Sequence, residues 1–115
     1  MHHLLKVLKA AGDDSRLRAL NILRLRSLCV CEIADVLGLA QSTVSRHLKV
    51  LEDAGLLERS KEGLWVEYRL TSAPEDSTEH RLISLVDQEF SASDAARADE
   101  ARARSADRRK ICART

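Results

Sequence analysis

A mainly α-helical fold with a single β-hairpin is predicted by three features of the 115-residue sequence. Aliphatic residues recur at helical spacing through most of the first 90 residues, and only 3% of residues are aromatic, so aliphatic side chains must form the core. Two short amphipathic segments flank Gly38-Leu39-Ala40, which indicates a helix-turn-helix. The apolar period then changes to two, which indicates a hairpin directly after that motif. The predicted class is therefore a winged helix-turn-helix, in which the hairpin is the wing.

Two helices are predicted before this motif. The first carries a short apolar stripe over residues 4–8 and is broken by Ala10-Ala11-Gly12-Asp13-Asp14. The second is expected from Ser15, which offers a cap, to about Leu28. Its apolar residues cover so wide a stripe that the helix is expected at the centre of the domain. These residues are Leu17, Leu20, Ile22, Leu25 and Leu28.

The two helices of the helix-turn-helix follow from their apolar spacing. The first covers residues 30–37, where apolar residues fall at i, i+3, i+4 and i+7, and Gly38 ends it. The second covers residues 41–54 and is followed by Gly55. Its core face is formed by Val44, Leu48 and Leu51.

The hairpin and a last apolar helix follow the motif. Val66, Tyr68 and Leu70 alternate with charged residues, and Glu62-Gly63 can supply the turn between two strands. Apolar residues over 82–90 return to helical spacing, which predicts a further helix.

The last 25 residues differ in composition from the rest. Between Phe90 and Ile111 there is no Val, Ile, Leu, Met, Phe, Trp or Tyr, while opposite charges stand at helical spacing. We expect this segment to be a solvated or frayed helix that buries no core. The chain is therefore divided into a folded domain, residues 1–90, and a charged Ala/Arg-rich tail, residues 91–115, which carries Cys112.

The outward face and first turn of the 41–54 helix carry groups that read the major groove of DNA. Arg can pair with guanine and Gln with adenine, while hydroxyls and backbone amides bind phosphate. The candidate positions on this helix are Gln41, Ser42, Thr43, Ser45, Arg46 and Lys49. Lys61 in the hairpin is expected to reach backbone phosphate. His47, at the margin of the core face, is either a DNA contact or a packed histidine, and an ordinary solvated face would also explain the polar positions.

Four stretches give the sequence a specific family resemblance. They are Gly12-Asp13-Asp14-Ser15-Arg16-Leu17-Arg18, Leu28-Cys29-Val30-Cys31-Glu32-Ile33, Gln41-Ser42-Thr43-Val44-Ser45-Arg46-His47-Leu48 and Leu51-Glu52-Asp53-Ala54-Gly55-Leu56. Over approximately residues 4–90 the chain resembles the ArsR/SmtB family of metal-responsive repressors. The resemblance implies a homodimer that binds double-stranded operator DNA and dissociates from it when a metal or metalloid ion binds.

The resemblance also assigns roles to particular residues. Gln41, Ser42, Thr43, Ser45, Arg46 and His47 match the recognition-helix positions, and Lys61 to Trp65 match the wing. Residues 1–90 would form the DNA-binding and dimerisation domain, with the apolar stripes at 4–8 and 82–90 as the dimer interface or as core. Ala40 departs from the family, which often has Ser there, so a helix cap worth about 1 kcal/mol is lost.

Cys29 and Cys31 resemble the family's Cys-Val-Cys signature for soft ions. Residues two apart on a regular helix point about 200° apart, so the two sulfurs share an ion only where the backbone is extended or frayed. Cys29 stands at the edge of the 30–37 helix, whose amino terminus is expected to lower the thiol pKa, with Glu32 opposing in part. The alternative to a metal site is that Cys29 and Cys31 are small core residues, although Cys31 lies off the apolar face of the 30–37 helix.

Cys112 is the predicted third ligand of a three-sulfur site, in its own or in the partner subunit. Thiolates select soft ions such as As(III), Sb(III), Cd(II) or Pb(II) over hard cations. The family resemblance implies As(III) or Sb(III) as the inducing ion. Positive charge at Arg108-Arg109-Lys110 favours the Cys112 thiolate. The alternative is that Cys112 is an incidental cysteine without a ligand role. His2 and His3 at the amino end are the other candidate ligands.

Composition and missing motifs exclude several other classes. The chain has 19 basic and 18 acidic residues, which excludes a uniformly positive surface. No membrane-spanning run or signal peptide is recognisable, which predicts a cytoplasmic protein with reduced thiols. Without Cys-x-x-Cys, a phosphate-cradling loop or an acid-base pair, neither an enzyme nor an organic cofactor is expected. The prediction is a repressor released by As(III) or Sb(III); release by Cd(II), by Pb(II) or by thiol oxidation stays open.

Overall fold

Seven helices and three strands follow one another over residues 2–112, the part of the chain that the computed structural model describes. The helices are α1 (His2–Ala11), α2 (Asp14–Leu23), α3 (Val30–Leu37), α4 (Gln41–Asp53), α5 (Thr78–Ser91), α6 (Asp94–Ser105) and α7 (Arg108–Ile111). The strands are β1 (Leu28–Cys29), β2 (Leu57–Glu62) and β3 (Trp65–Leu70). Within these residues, no helix is both long enough and apolar enough to cross a bilayer.

The predicted helix-turn-helix is confirmed as α3 and α4. Gly38 has a φ of 71°, a left-handed conformation that costs glycine little, and it ends α3. Ala40 is the N-cap of α4 and makes no side-chain cap hydrogen bond. The predicted core face of α4 is buried, because Val44, Leu48 and Leu51 are at most 1% exposed.

The helix before the motif differs from its prediction at both ends. Asp13 caps α2 in place of Ser15, since its Oδ2 accepts the Arg16 backbone N–H at 3.1 Å. The helix ends at Leu23 rather than near Leu28, because the following apolar residues form β1 and pair with β3. A short run of apolar residues does not by itself distinguish a helix end from a buried strand.

The predicted hairpin is confirmed as β2 and β3, and a third strand anchors it. The two strands are joined by Gly63-Leu64, and Gly63 has a φ of 62°. β3 lies at the centre of the sheet, with β2 on one side and β1 on the other. Cys29 of β1 is therefore paired with Glu67 of β3, so the base of the wing is directly connected to the cysteine pair.

The segment after Phe90 is packed more closely than the sequence predicts. α6 lies against α2 and α3, and its Ala96 and Ala103 are buried. Arg18 of α2 donates two hydrogen bonds to the Asp99 carboxylate, at 2.8 and 3.0 Å. The prediction of a solvated or frayed helix is wrong for α6, because alanines let the helix approach closely and α2 supplies cations for its acids.

The opposite charges at helical spacing in α6 form ion pairs. They are Asp94 with Arg97 (3.1 Å), Asp99 with Arg102 (2.8 Å) and Glu100 with Arg104 (3.9 Å). Residues 113–115 of the predicted tail lie outside the described residues. The division of the chain at residue 90 stays a prediction.

Candidate thiol site and nucleic-acid interface

α4 presents a polar face away from the core. Its exposed residues include Ser42, Ser45, Arg46 and Lys49, and its first turn holds the half-buried Gln41 and Thr43. Lys61 is exposed near the end of β2, close to the loop of the wing. The predicted reading residues therefore occupy accessible parts of two neighbouring elements, and their contacts with DNA stay a prediction.

His47 is held against α2. Its Nδ1 lies 3.2 Å from Nη1 of Arg16 and 4.0 Å from Oδ2 of Asp13. The ring is half-buried, with 22% of the side chain exposed. The packing role that the sequence left open for His47 is therefore present, and the predicted DNA contact stays a prediction.

The thiol turn, which we define as Cys29 to Cys31, joins β1 to α3. Cys29 ends β1 and is the N-cap of α3, and its φ of −83° and ψ of 162° are those of extended backbone. This meets the condition under which residues two apart direct their side chains to one side. Cys31 is buried although it lies off the apolar face of α3, because α7 packs over that helix.

Cys112 reaches the thiol turn from α7. It forms a disulfide with Cys31 of the same chain, with 5.5 Å between their Cα atoms, and Cys29 is a buried free thiol. All three cysteines line one cavity of about 300 Å³, together with Gln41 at the start of α4 and Trp65 in the wing. The structure thus brings the three predicted ligands together within one subunit.

The donors of this cavity fit a soft ion once the disulfide is reduced. In the oxidised state, two of the three sulfurs are bonded to each other. Across residues 2–112, no group of three or more His, Cys, Asp or Glu side chains is arranged to hold a metal ion. Reduction restores two thiols beside a third, and three sulfurs are a soft donor set that favours metalloids over hard cations.

Burial raises the pKa of the Cys29 thiol to about 11. The positive charge of Arg108 acts in the opposite direction, while the carboxylates of Glu32 and Glu67 raise the pKa further. The prediction that this pKa is lowered at the amino terminus of α3 is wrong, because the loss of water around the buried sulfur is the largest influence on it. Cys29 is therefore a neutral thiol in this state, and a bound ion must displace its proton.

Charged side chains surround the backbone of the thiol turn. Glu32 is completely buried, and its Oε1 accepts the backbone N–H of Cys29 at 2.8 Å. Its carboxylate oxygens lie 3.6 Å from the guanidinium groups of Arg108 and Arg26. Arg108 also donates a hydrogen bond of 2.7 Å to Glu67 in β3. Helix α3, the wing and α7 thus meet in one ionic cluster.

Only part of this ionic cluster could be recognised from the sequence. Glu32 carried a recognisable pattern, since it stands three residues after the N-cap Cys29, where a capping box has Glu. Arg108 carried no pattern beyond local positive charge, because its partner Glu67 is 41 residues away. A contact over that distance is created by the fold.

A helix-turn-helix with a polar, accessible second helix and a hairpin wing defines a class, the DNA-binding transcription regulators. The family described as bacterial regulatory protein, arsR family, matches residues 13–59, which contain α2, α3, α4 and the start of the wing. The chain belongs to the ArsR family.

Two curated relatives and one solved structure illustrate the similarity. An uncharacterized HTH-type transcriptional regulator of Methanocaldococcus jannaschii is 39% identical over 84 residues, which are 72% of this chain and 90% of the relative. The arsenic resistance transcriptional regulator ArsR1 of Pseudomonas putida is 41% identical over 97 residues, covering 82% of this chain and 76% of the relative.

The solved structure is the homodimeric winged helix-turn-helix DNA-binding domain of a possible ArsR-family regulator from Mycobacterium bovis. It is 32% identical, with a TM-score of 0.66 over 78% of this chain and 80% of that one. The relatives and this neighbour are transcription regulators, which are not enzymes.

Proposed function

We propose that the protein is a cytoplasmic, homodimeric repressor that leaves its operator DNA when As(III) or Sb(III) binds Cys29, Cys31 and Cys112. The observation that carries the proposal is the single cavity lined by all three cysteines, beside Gln41 of α4 and Trp65 of the wing. The Pseudomonas putida relative supports a metalloid inducer, because it is named an arsenic resistance regulator.

The chain prepares the site in two chemical steps. Reduction of the disulfide between Cys31 and Cys112 frees two thiols, and a reducing cytosol supplies the electrons. Each of the three thiols, Cys29 included, then loses its proton to solvent as the ion binds. A bound soft ion supplies metal–sulfur bonds that tie the thiol turn to α7.

Movement of the thiol turn has two short routes to the DNA-reading elements. α3 packs directly on α4, and β1 pairs with β3 of the wing. A change at Cys29 or Cys31 therefore acts on the start of α4 and on the base of the wing together. Moving a repressor from mostly bound to mostly free requires about 10⁴-fold differential affinity, roughly 5.5 kcal/mol, which several metal–thiolate bonds can supply.

The DNA contacts belong to α4 and the wing. Base reading is assigned to Gln41 and Arg46, whose side chains suit adenine and guanine. Phosphate contacts are assigned to the hydroxyls and cations around them and to the wing. The complete set is Gln41, Ser42, Thr43, Ser45, Arg46, His47, Lys49 and Lys61.

The dimer interface is assigned to the open apolar faces of α1 and α5. A cavity of about 730 Å³ lies between these helices and is lined by Leu4, Leu8, Leu82 and Leu85, among others. Leu4, Leu8 and Leu85 are about half exposed in the single chain, which is unusual for neighbouring leucines. The homodimeric Mycobacterium bovis domain supports a dimer.

Replacement of both cysteines of the thiol turn tests the metalloid site. An operator duplex is first selected from a random-sequence library with the reduced wild-type protein. The C29S/C31S variant should bind this duplex within about threefold of the wild-type affinity and resist release by arsenite in fluorescence anisotropy. Ser27→Ala, beside the turn, is the matched control and should still be released. Release of the double variant by arsenite would reject the site.

X-ray absorption of the arsenite-loaded protein counts the sulfur neighbours. Three neighbours are expected in the wild type and two in Cys112→Ser, because serine oxygen is a harder donor. The same release assay with Sb(III), Cd(II) and Pb(II) ranks the alternative ions.

A thiol-oxidation sensor is the second candidate, and the disulfide between Cys31 and Cys112 favours it. A peroxide would oxidise one thiolate to a sulfenic acid as its O–O bond breaks. The second thiolate would then attack the sulfenic sulfur and form the disulfide, and the hydroxide that leaves would take up a proton from solvent. Release of the operator by peroxide, with mass spectrometry showing this bond, would support the sensor; release by arsenite alone would support the metalloid repressor.

A further inference from the structure

Arg108 occupies a confined position between α3 and the wing. Only 18% of its side chain is exposed. Its guanidinium donates a 2.7 Å hydrogen bond to Glu67, lies 3.6 Å from Glu32 and stacks 5.7 Å from the centre of the Trp65 ring. These three partners come from two different elements, so Arg108 fixes α7 against both of them.

Cys112 is connected to this anchor through α7. It follows Arg108 by one helical turn, and its backbone N–H donates to the Arg108 carbonyl. α7 has only four residues, and so short a helix is not stable by itself in water. Contacts with the rest of the protein must therefore hold it, and Arg108 makes a side-chain hydrogen bond of 2.7 Å to Glu67 in β3.

Glu32 connects the same anchor to the other two cysteines. Its Oε1 accepts the Cys29 N–H and lies 3.6 Å from Arg108, while its buried Oε2 has no hydrogen-bond partner in the described chain. Arg26 approaches Oε2 at 3.6 Å and also donates to the carbonyl of Ala106, just before α7. The buried Glu32 carboxylate thus faces two arginines: Arg108, which is part of α7, and Arg26, which binds the chain just before α7.

We propose that Arg108 is the positioning residue that brings Cys112 to the thiol turn and so determines three-sulfur rather than two-sulfur coordination. The choice of ion rests on the proposed function, whereas the positioning of Cys112 does not. Loss of the anchor lowers the effective concentration of the Cys112 sulfur at Cys31. Outer partners of metal ligands typically change metal affinity by about 10- to 100-fold, and we expect a loss of that size.

The first experiment measures position without any metalloid. The full-length protein with Cys29→Ser, which prevents mispairing, is equilibrated with reduced and oxidised glutathione, and the fraction of intrachain disulfide is measured by mass spectrometry. Arg108→Gln should lower the effective concentration of Cys112 at Cys31 about tenfold or more. Arg97→Gln is the matched control, because it removes an exposed guanidinium paired with Asp94 in α6 and should change little.

The second experiment uses arsenite and the three-cysteine protein. Arg108→Gln should reduce the sulfur count from three to two in X-ray absorption and weaken arsenite binding by about 10- to 100-fold. Arg108→Lys, which keeps the charge but loses the planar fork, should fall between wild type and Arg108→Gln. If Arg108→Gln does not fold by circular dichroism, Glu67→Gln removes the same short contact from the wing and takes its place.

The outcomes separate the two proposals. An unchanged disulfide equilibrium in a folded Arg108→Gln protein, or an equal loss in Arg97→Gln, would overturn the positioning role. A lower fraction of intrachain disulfide in Arg108→Gln, together with a wild-type protein that does not bind arsenite, would support the positioning role and reject the metalloid inducer.

Discussion

Three successive polar residues, Asp13, Asp14 and Ser15, stand at the amino end of α2, and each belongs to a type that caps helices. In the structure the N-cap of α2 is Asp13, whose carboxylate accepts the Arg16 backbone N–H. This hydrogen bond is the largest cause of a lowered Asp13 pKa, and the charges of Arg16 and His47 act in the same direction. The ionised form of Asp13 is therefore favoured by folding.

Asp13→Ala is expected to reduce the free energy of unfolding by about 1 kcal/mol at pH 7. The difference should be complete above the unfolded pKa of 3.8 and should disappear as the pH falls through the lower folded value, because both states then bind the proton. Urea unfolding from pH 7 down to about 3 measures it. Asp53→Ala, at an exposed carboxylate, is the control, and an equal loss there would contradict the capping role.

At the level of elements, α6 is held by small side chains and by ion pairs with α2. Ala96 and Ala103 are buried, and Asp99 receives both Arg18 and Arg102. A helix without large apolar residues can therefore be part of a core when its partner helices supply the apolar area and the opposite charges. Its docking places α7, and with it Cys112, beside the thiol turn.

Ala103→Leu should destabilise the protein by about 1–3 kcal/mol, because no space remains for the extra atoms at a completely buried alanine. Ala101→Leu lies on the exposed face of the same helix and should change stability by less than about 0.5 kcal/mol. Thermal unfolding of the two variants compares these positions. Equal effects would mean that α6 is solvated, as its composition suggested.

At the level of the whole molecule, the single chain leaves apolar surface open on one side. Leu4, Leu5, Leu8 and Leu85 remain about half exposed, whereas the core beneath α2 and α4 is closed. In the proposed dimer, a second copy with the same open faces would cover both surfaces at once, as two-fold symmetry allows. A dimer also presents two α4 helices to two half-sites of DNA.

Leu85→Glu should convert the dimer to a monomer, because a charge would be buried without a partner in the interface. Sedimentation equilibrium measures the change, with weakened operator binding as its consequence. Leu64→Glu is the control for sedimentation alone and should stay dimeric, since Leu64 is 92% exposed in the loop of the wing, away from α1 and α5. A Leu85→Glu protein that stays dimeric would place the interface elsewhere.

The sequence by itself determined the helix-turn-helix, the wing, the polar face of α4 and the choice of Cys29, Cys31 and Cys112 as candidate ligands. Periodicity, glycine stops and ligand type are properties of a few neighbouring residues, so they can be read locally. It also located the last run of large apolar residues in α5, although not the packing of α6 into the core.

Only the tertiary structure decided that β1 shortens α2, that α6 is packed, that Cys112 meets Cys31 in the same chain, and that Arg108 binds Glu67. Cys31 and Cys112 are 81 residues apart, and Arg108 and Glu67 are 41 apart. The raised pKa of Cys29 likewise depends on burial by distant elements. Contacts between residues far apart in the chain arise from packing, and no local pattern of residue types encodes them.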